Sequence, residues 1–147
     1  MKYFVPVVLA AAGIMGALNA EARDERTMMS IEEALNTEDA KAKLDKGISF
    51  YFGDQKHPAV EKRFGEFMSN KKTNAFNKTD ERACQWAFLS AMVSFQDRAV
   101  REGGNAVVNI RSYYKKNTVS SSTEFECGAG NVVAGVTFLG DVVKLVK

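Results

Sequence analysis

The sequence predicts an α+β domain: a mainly antiparallel β-sheet carrying one long helix, preceded by a short helical N-terminal arm. Three observations lead there. Asp80 to Glu102 shows helical spacing of Cys84, Phe88, Ala91, Phe95 and Ala99, and it ends on Gly103-Gly104. Asn105 to Tyr114 alternates as a strand does, and so do Thr123, Phe125 and Cys127 against Ser122, Glu124 and Glu126. A polar, Ser-rich break at Lys116 to Ser121 separates those two strands.

Taken from the N-terminus, residues 1–22 read as a secretory leader. Lys2 gives a positive start, Tyr3 to Leu18 is apolar apart from Gly and Pro, and Ala20-Glu21-Ala22 has the small-x-small pattern of a cleavage site. The apolar run is short for a comfortable membrane span, the alternative being a retained anchor. The leader predicts a periplasmic or secreted protein beginning near Arg23, with no stable membrane span after cleavage near Ala22.

Residues 23–46 read as the helical arm. Ser30-Ile31-Glu32-Glu33 is a capping-box pattern, and Thr37-Glu38-Asp39 is a second helix start. Residues 47–147 then form a single domain. Ile48 to Gly53 is an aromatic-rich strand, Asp54 to Pro58 a loop, and Phe64 to Asn74 a weaker strand. Thr79 caps the long helix, with Asp80 and Glu81 where the dipole favours acids. Its first two-thirds is apolar almost all round, so it should be buried on more than one side. Phe88 and Phe95 are expected in the main core. Strands over Val132 to Phe138 and Asp141 to Val146 close the chain, with a bulge expected at Gly140.

Charge excludes one class of function. The chain has 20 Lys and Arg against 18 Asp and Glu. A nucleic-acid binder concentrates positive charge, so no nucleic-acid partner is expected. Cysteine usage fits export. Cys84 and Cys127 are the only two cysteines, and an even pair in an oxidising compartment predicts a disulfide. The chain-entropy model gives a bridge of this span about 4 kcal/mol as an upper value. Two Cys and the single His57 without tight spacing do not make a tetrahedral zinc set. A hairpin centred between Val119 and Ser120 would set Cys127 opposite Ser112 and Glu124 opposite Lys115. Cys127 would then share the helix-covered face with Ile110 and Val108.

Sites for chemistry are sparse. No GxxxxGK[ST] phosphate loop is present. Gly128-Ala129-Gly130 holds two glycines of a dinucleotide turn but leads into Val132-Val133, which suits a strand bend better. His57 lies near Asp54, yet no GxSxG elbow accompanies it. No catalytic, cofactor-binding or metal-binding residue is therefore assigned, and no cofactor is expected.

The run Gly103-Gly104-Asn105-Ala106-Val107-Val108-Asn109-Ile110-Arg111, following an Ala-rich helix, resembles the helix-to-strand signature of the YbjQ-like domain family. The resemblance spans about Arg82 to Val143 and implies a small domain with a helix on a β-sheet. That family's proposed heavy-metal binding brings no ligand set onto these residues. The whole span, from Ile31-Glu32-Glu33-Ala34-Leu35 through Phe50-Tyr51-Phe52-Gly53 to Cys127-Gly128-Ala129-Gly130, is similar to small exported bacterial proteins often labelled "excinuclease ATPase subunit". The absent phosphate loop and the leader contradict that label. The expected function is a non-catalytic envelope domain that binds a protein or a small ligand. Two alternatives stand beside it: a small periplasmic hydrolase using the His57 loop, and a heavy-metal binder.

Overall fold

A computed structural model describes residues 23–147; the expected leader, residues 1–22, lies outside the described residues. The elements are β1 (Glu25–Ser30), α1 (Ile31–Leu35), α2 (Glu38–Lys43), β2 (Ser49–Phe52), β3 (Val60–Asn74), α3 (Asp80–Glu102), β4 (Ala106–Tyr114), β5 (Asn117–Val119), β6 (Glu124–Ala129) and β7 (Val133–Leu145). The architecture is α+β: a curled seven-stranded sheet with α3 packed on it.

The sheet is mixed: five of its six pairings are antiparallel, and the sixth is a parallel pairing that the expectation of a mainly antiparallel sheet did not include. β2 runs parallel to β4, because α3 and the long β3 intervene between them as a crossover. The residues ahead of α1 also differ from a purely helical arm. Glu25 to Ser30 pairs antiparallel with β6, Thr27 standing opposite Cys127.

β7 organises the sheet. β3 pairs along one of its edges from Val133 to Leu145. Its other edge is divided: β6 takes Ala134 and Gly135, and β4 takes Phe138 to Val143. β7 is continuous through Gly140, where the sequence suggests a bulge. That glycine serves a close approach instead, since a Cβ there would lie 2.8 Å from Val107 and 3.2 Å from Phe95.

The long helix has the expected bounds. Thr79 Oγ1 accepts from the Arg82 amide, and Gly103 takes the left-handed conformation that ends the helix. The next residues explain the Gly-Gly-Asn signature physically. Gly104 lies against the Val143 carbonyl, 2.7 Å from where a Cβ would stand. The Asn105 side chain accepts from the Leu145 amide (2.7 Å) and donates to its carbonyl (3.1 Å), extending the ladder with a side chain.

Two details depart from sequence expectation. The hairpin after β4 turns at Lys115-Lys116, both at positive φ, and pairs Ser112 with Val119. Two successive residues at positive φ suit a tight two-residue turn whose twist matches the strands. Cys127 therefore does not pair with Ser112, nor Glu124 with Lys115; the Glu126 amide donates to Ser112 Oγ across the gap. Within β4, Asn109 at φ 50° inserts a bulge between Val108 and Arg111. The bulge exchanges faces: Val107 and Ile110 join the helix-side core, while Ala106 and Val108 pack with Val143 and Leu145 on the reverse face.

The main core is aromatic. Phe88 and Phe95 are buried there, with Phe52, Phe125 and Phe138 in edge and stacked contact at ring separations of 4.6–6.4 Å. Trp86, on α3's other side, stays half-exposed under Lys43 Nζ, 4.4 Å from the ring centre.

Candidate binding cleft

A cleft of about 510 Å³ opens where α1, the end of β2 and the 121–123 segment meet. Its construction follows from local sequence. Ser30 caps α1 by accepting from the Glu33 amide, and the Ile31 amide bonds the Thr123 carbonyl at 3.0 Å, fixing the helix start to the opposite wall. After β2 the chain turns at Gly53, φ 57°, whose Cβ would stand 3.0 Å from the Ser121 backbone. Gln55 locks this corner, accepting from the Phe52 amide and donating to the Ser122 carbonyl, both at 2.9 Å.

The floor is apolar: Ile31, Leu35, Phe50 and Phe52. Phe52 is continuous with the main core through Phe88 and Phe138. The rim is polar and carries one ionisable side chain, Glu32, beside Ser30, Asn36, Gln55, Ser122 and Thr123. Such a wall accepts more hydrogen bonds than it donates, and its only charge is negative. It suits a ligand with an apolar body and a donor or cationic head.

The predicted site residues fall elsewhere. Cys84 of α3 and Cys127 of β6 stand at disulfide distance, sulfur to sulfur 2.15 Å and Cα to Cα 5.9 Å, inside the core. His57 is exposed, its ring 5.4 Å from that of Tyr51 and its Nδ1 2.7 Å from the Pro58 carbonyl. It is not among the residues lining the cleft. Among the described residues no group of three or more His, Cys, Asp or Glu is placed to hold a metal ion. The glycines of the Gly128-Ala129-Gly130 run serve packing: Gly128 faces Gly135 of β7 across the ladder with the Tyr114 ring over both, and Gly130 lies against the Arg23 and Val133 carbonyls.

A second polar cluster lies around that ring. Tyr114 donates to Asp24 Oδ1 at 2.9 Å, and Lys115 bonds the other Asp24 oxygen. Lys115 first and Tyr114 second hold the Asp24 carboxyl below its ordinary range. Burial, with help from Asp24, pushes the Tyr114 phenol up to about 12. Nearby, Glu126 is buried with Oε1 lacking a hydrogen-bond partner and Arg26 Nε 3.8 Å away. The sequence signals neither cluster nor cleft, since each assembles residues from three or more separated segments.

No family model, curated protein or solved structure matches this chain.

Proposed function

We propose that the protein is an exported, non-catalytic binding domain of the bacterial envelope, and that the cleft takes a small ligand with an apolar body and a hydrogen-bond-donating or cationic head. The cleft carries this reading: an aromatic floor continuous with the core, and an acceptor-rich rim locked by Gln55. A disulfide between Cys84 and Cys127 suits an oxidising compartment and supports export. Among the described residues no helix is long and apolar enough to cross a membrane, which is compatible with release after cleavage near Ala22. The place of His57, beside Tyr51 and away from the cleft lining, favours binding over hydrolysis. The kinship proposed with YbjQ-like domains rests on the Gly103 to Arg111 run, whose glycines and Asn105 have structural duties at the helix-to-strand joint.

The test is titration of the protein with small aromatic amines, followed by amide NMR. Shifts should concentrate on Ile31, Leu35, Gln55 and Thr123. Leu35→Trp, which fills the cleft, should weaken binding about tenfold or more. Shifts spread over the surface, or unchanged binding by the Leu35 variant, would overturn the reading. N-terminal sequencing of the exported protein should begin near Arg23.

A further inference from the structure

We propose that the end of the molecule formed by the β3–α3 loop and the β6–β7 turn is a contact surface for an anionic lipid bilayer. Three large apolar side chains lie open there: Phe76 at 62 %, Val132 at 61 % and Val133 at 46 % exposure. They sit on two adjacent chain reversals, joined by a 2.7 Å bond from the Ala75 amide to the Val132 carbonyl. The loop is held in shape without covering them. Asn74 Oδ1 accepts from the Phe76 amide at 2.9 Å, and Asn77 takes positive φ so that Thr79 can cap α3. Clustered apolar exposure on a small domain marks an interaction surface.

Charge and chain path identify the partner. Lys72 lines the same hollow, and Lys78 Nζ lies 2.9 Å from the Asn74 carbonyl at its rim. No acidic side chain lines the hollow, and the acids beside it are held in bonds of their own: Arg23 bonds both Asp80 and Glu25, while Glu81 lies 3.4 Å from Gln85 Nε2. An apolar centre with lysines around it is the pattern that enters a bilayer interface with anionic headgroups. The entry point of the domain lies at the same end. Arg23 is fixed to Asn131 at 3.3 Å and to Asp80, and its carbonyl lies 2.8 Å from where a Cβ on Gly130 would stand. The residues before it, Tyr3 to Leu18, are the apolar stretch of the chain. Arg23, the first described residue, therefore lies at the same end of the domain as Phe76, Val132 and Val133. After cleavage the same side chains would provide weak, reversible surface binding. This inference is independent of the cleft and its ligand.

The experiment is co-sedimentation of the protein, recovered from the envelope as the cell matures it, with vesicles of phosphatidylglycerol and phosphatidylethanolamine. The parent protein should partition to the vesicles, and less so to pure phosphatidylcholine. Phe76→Ser with Val132→Ser should lower partitioning about tenfold or more. Lys72→Glu with Lys78→Glu should lower it by at least about fivefold per lysine. All four positions are at the surface, so the circular dichroism spectrum and the Cys84–Cys127 bridge should be retained. A parent protein that stays in the supernatant overturns the proposal. So does undiminished sedimentation of the Phe76/Val132 variant, which would assign binding to a retained N-terminal segment. Vesicle-free dimerisation that the same variant abolishes would assign the surface to a second copy of the chain and likewise overturn it.

Discussion

Tyr114 shows how one side chain can hold several strands in register. Its ring lies over Gly128 and Gly135, the cross-strand pair where β6 meets β7, and its hydroxyl reaches Asp24 just ahead of β1. An aromatic ring laid over glycines replaces the cross-strand packing that those residues lack. The phenol titrates at about 12 because burial and Asp24 both disfavour the phenolate. The folded-state value is raised above the ordinary one, so the linked stability is fully present below about pH 10 and is lost as pH rises through about 12. Absorbance titration of the tyrosinates should therefore resolve one late-titrating tyrosine. Asp24→Asn should bring its midpoint down. Gly128→Ala should do the same without touching either partner, since the new methyl occupies the ring's position and turns the phenol out to water. A late midpoint that survives Gly128→Ala would show that the ring does not lie on the glycines. At acid pH the sign is reversed for Asp24: its lowered carboxyl contributes stability above its ordinary range and loses it as pH falls through the folded value.

Element by element, what local sequence encodes was legible, and what two-residue details encode was not. The bounds of α3 follow from Thr79, the acids after it and Gly103, all short-range signals. The faces of β4 do not follow from alternation, because one residue at φ 50° moves every side chain before it to the opposite face. Asn tolerates that conformation, so nothing in the alternating pattern announces the bulge. Asn109→Gly should be close to neutral. Asn109→Val should cost about 1–2 kcal/mol in denaturant unfolding, the penalty of forcing a β-branched residue left-handed. Equal stability of the two variants would remove the bulge. The long edge strand β3 shows a related device. Register shifts interrupt its pairing near Glu61 and Phe64, and Glu61, Lys62, Arg63, Lys71 and Lys72 stand exposed along it. Charges and bulges of this kind discourage a second chain from pairing with the edge. Where α3 meets the sheet the physics is simpler. Phe88→Ala removes the ring that touches Phe52, Phe125 and Phe138, and should cost about 3–5 kcal/mol. A loss below about 1 kcal/mol would contradict the packing seen around that ring.

Across the whole molecule, the sheet consists of a broad part and a ribbon. β3, β7 and β4 form the broad part, with long ladders to β7. β1 and β6 form the ribbon, paired from Glu25–Ala129 to Ser30–Glu124 but joined to β7 only through Gly128 and Ala129. The Cys pair spans this weak joint, tying Cys127 in the ribbon to Cys84 in the early turns of α3. Sequence arithmetic pointed to that pairing because the expected oxidising compartment and the count of two left few options. The register invoked for it, with Cys127 opposite Ser112, is not the one the sheet uses. β1 was also not legible: Glu-Arg-Thr-Met-Met-Ser has little apolar alternation, and its pairing depends on β6 lying across the fold. The cleft depends on the same ribbon, since Ser30 and Thr123 at its end line the rim. The consequences of reduction should accordingly be uneven. Global stability should fall by up to about 4 kcal/mol, because the denatured chain regains the freedom of a loop closed over 43 residues. Before global unfolding, the ribbon should open locally, held then by the short β6–β7 ladder and by Phe125 in the core. Hydrogen exchange with and without reductant measures this directly. Amides of Thr27, Phe125 and Ala129 should lose protection first, while those of Val136, Phe138 and Val142 in β7 keep theirs. Equal loss in both groups would mean that the ribbon is not a separate unit, and no change in either would mean that the two cysteines are not bonded in the native protein.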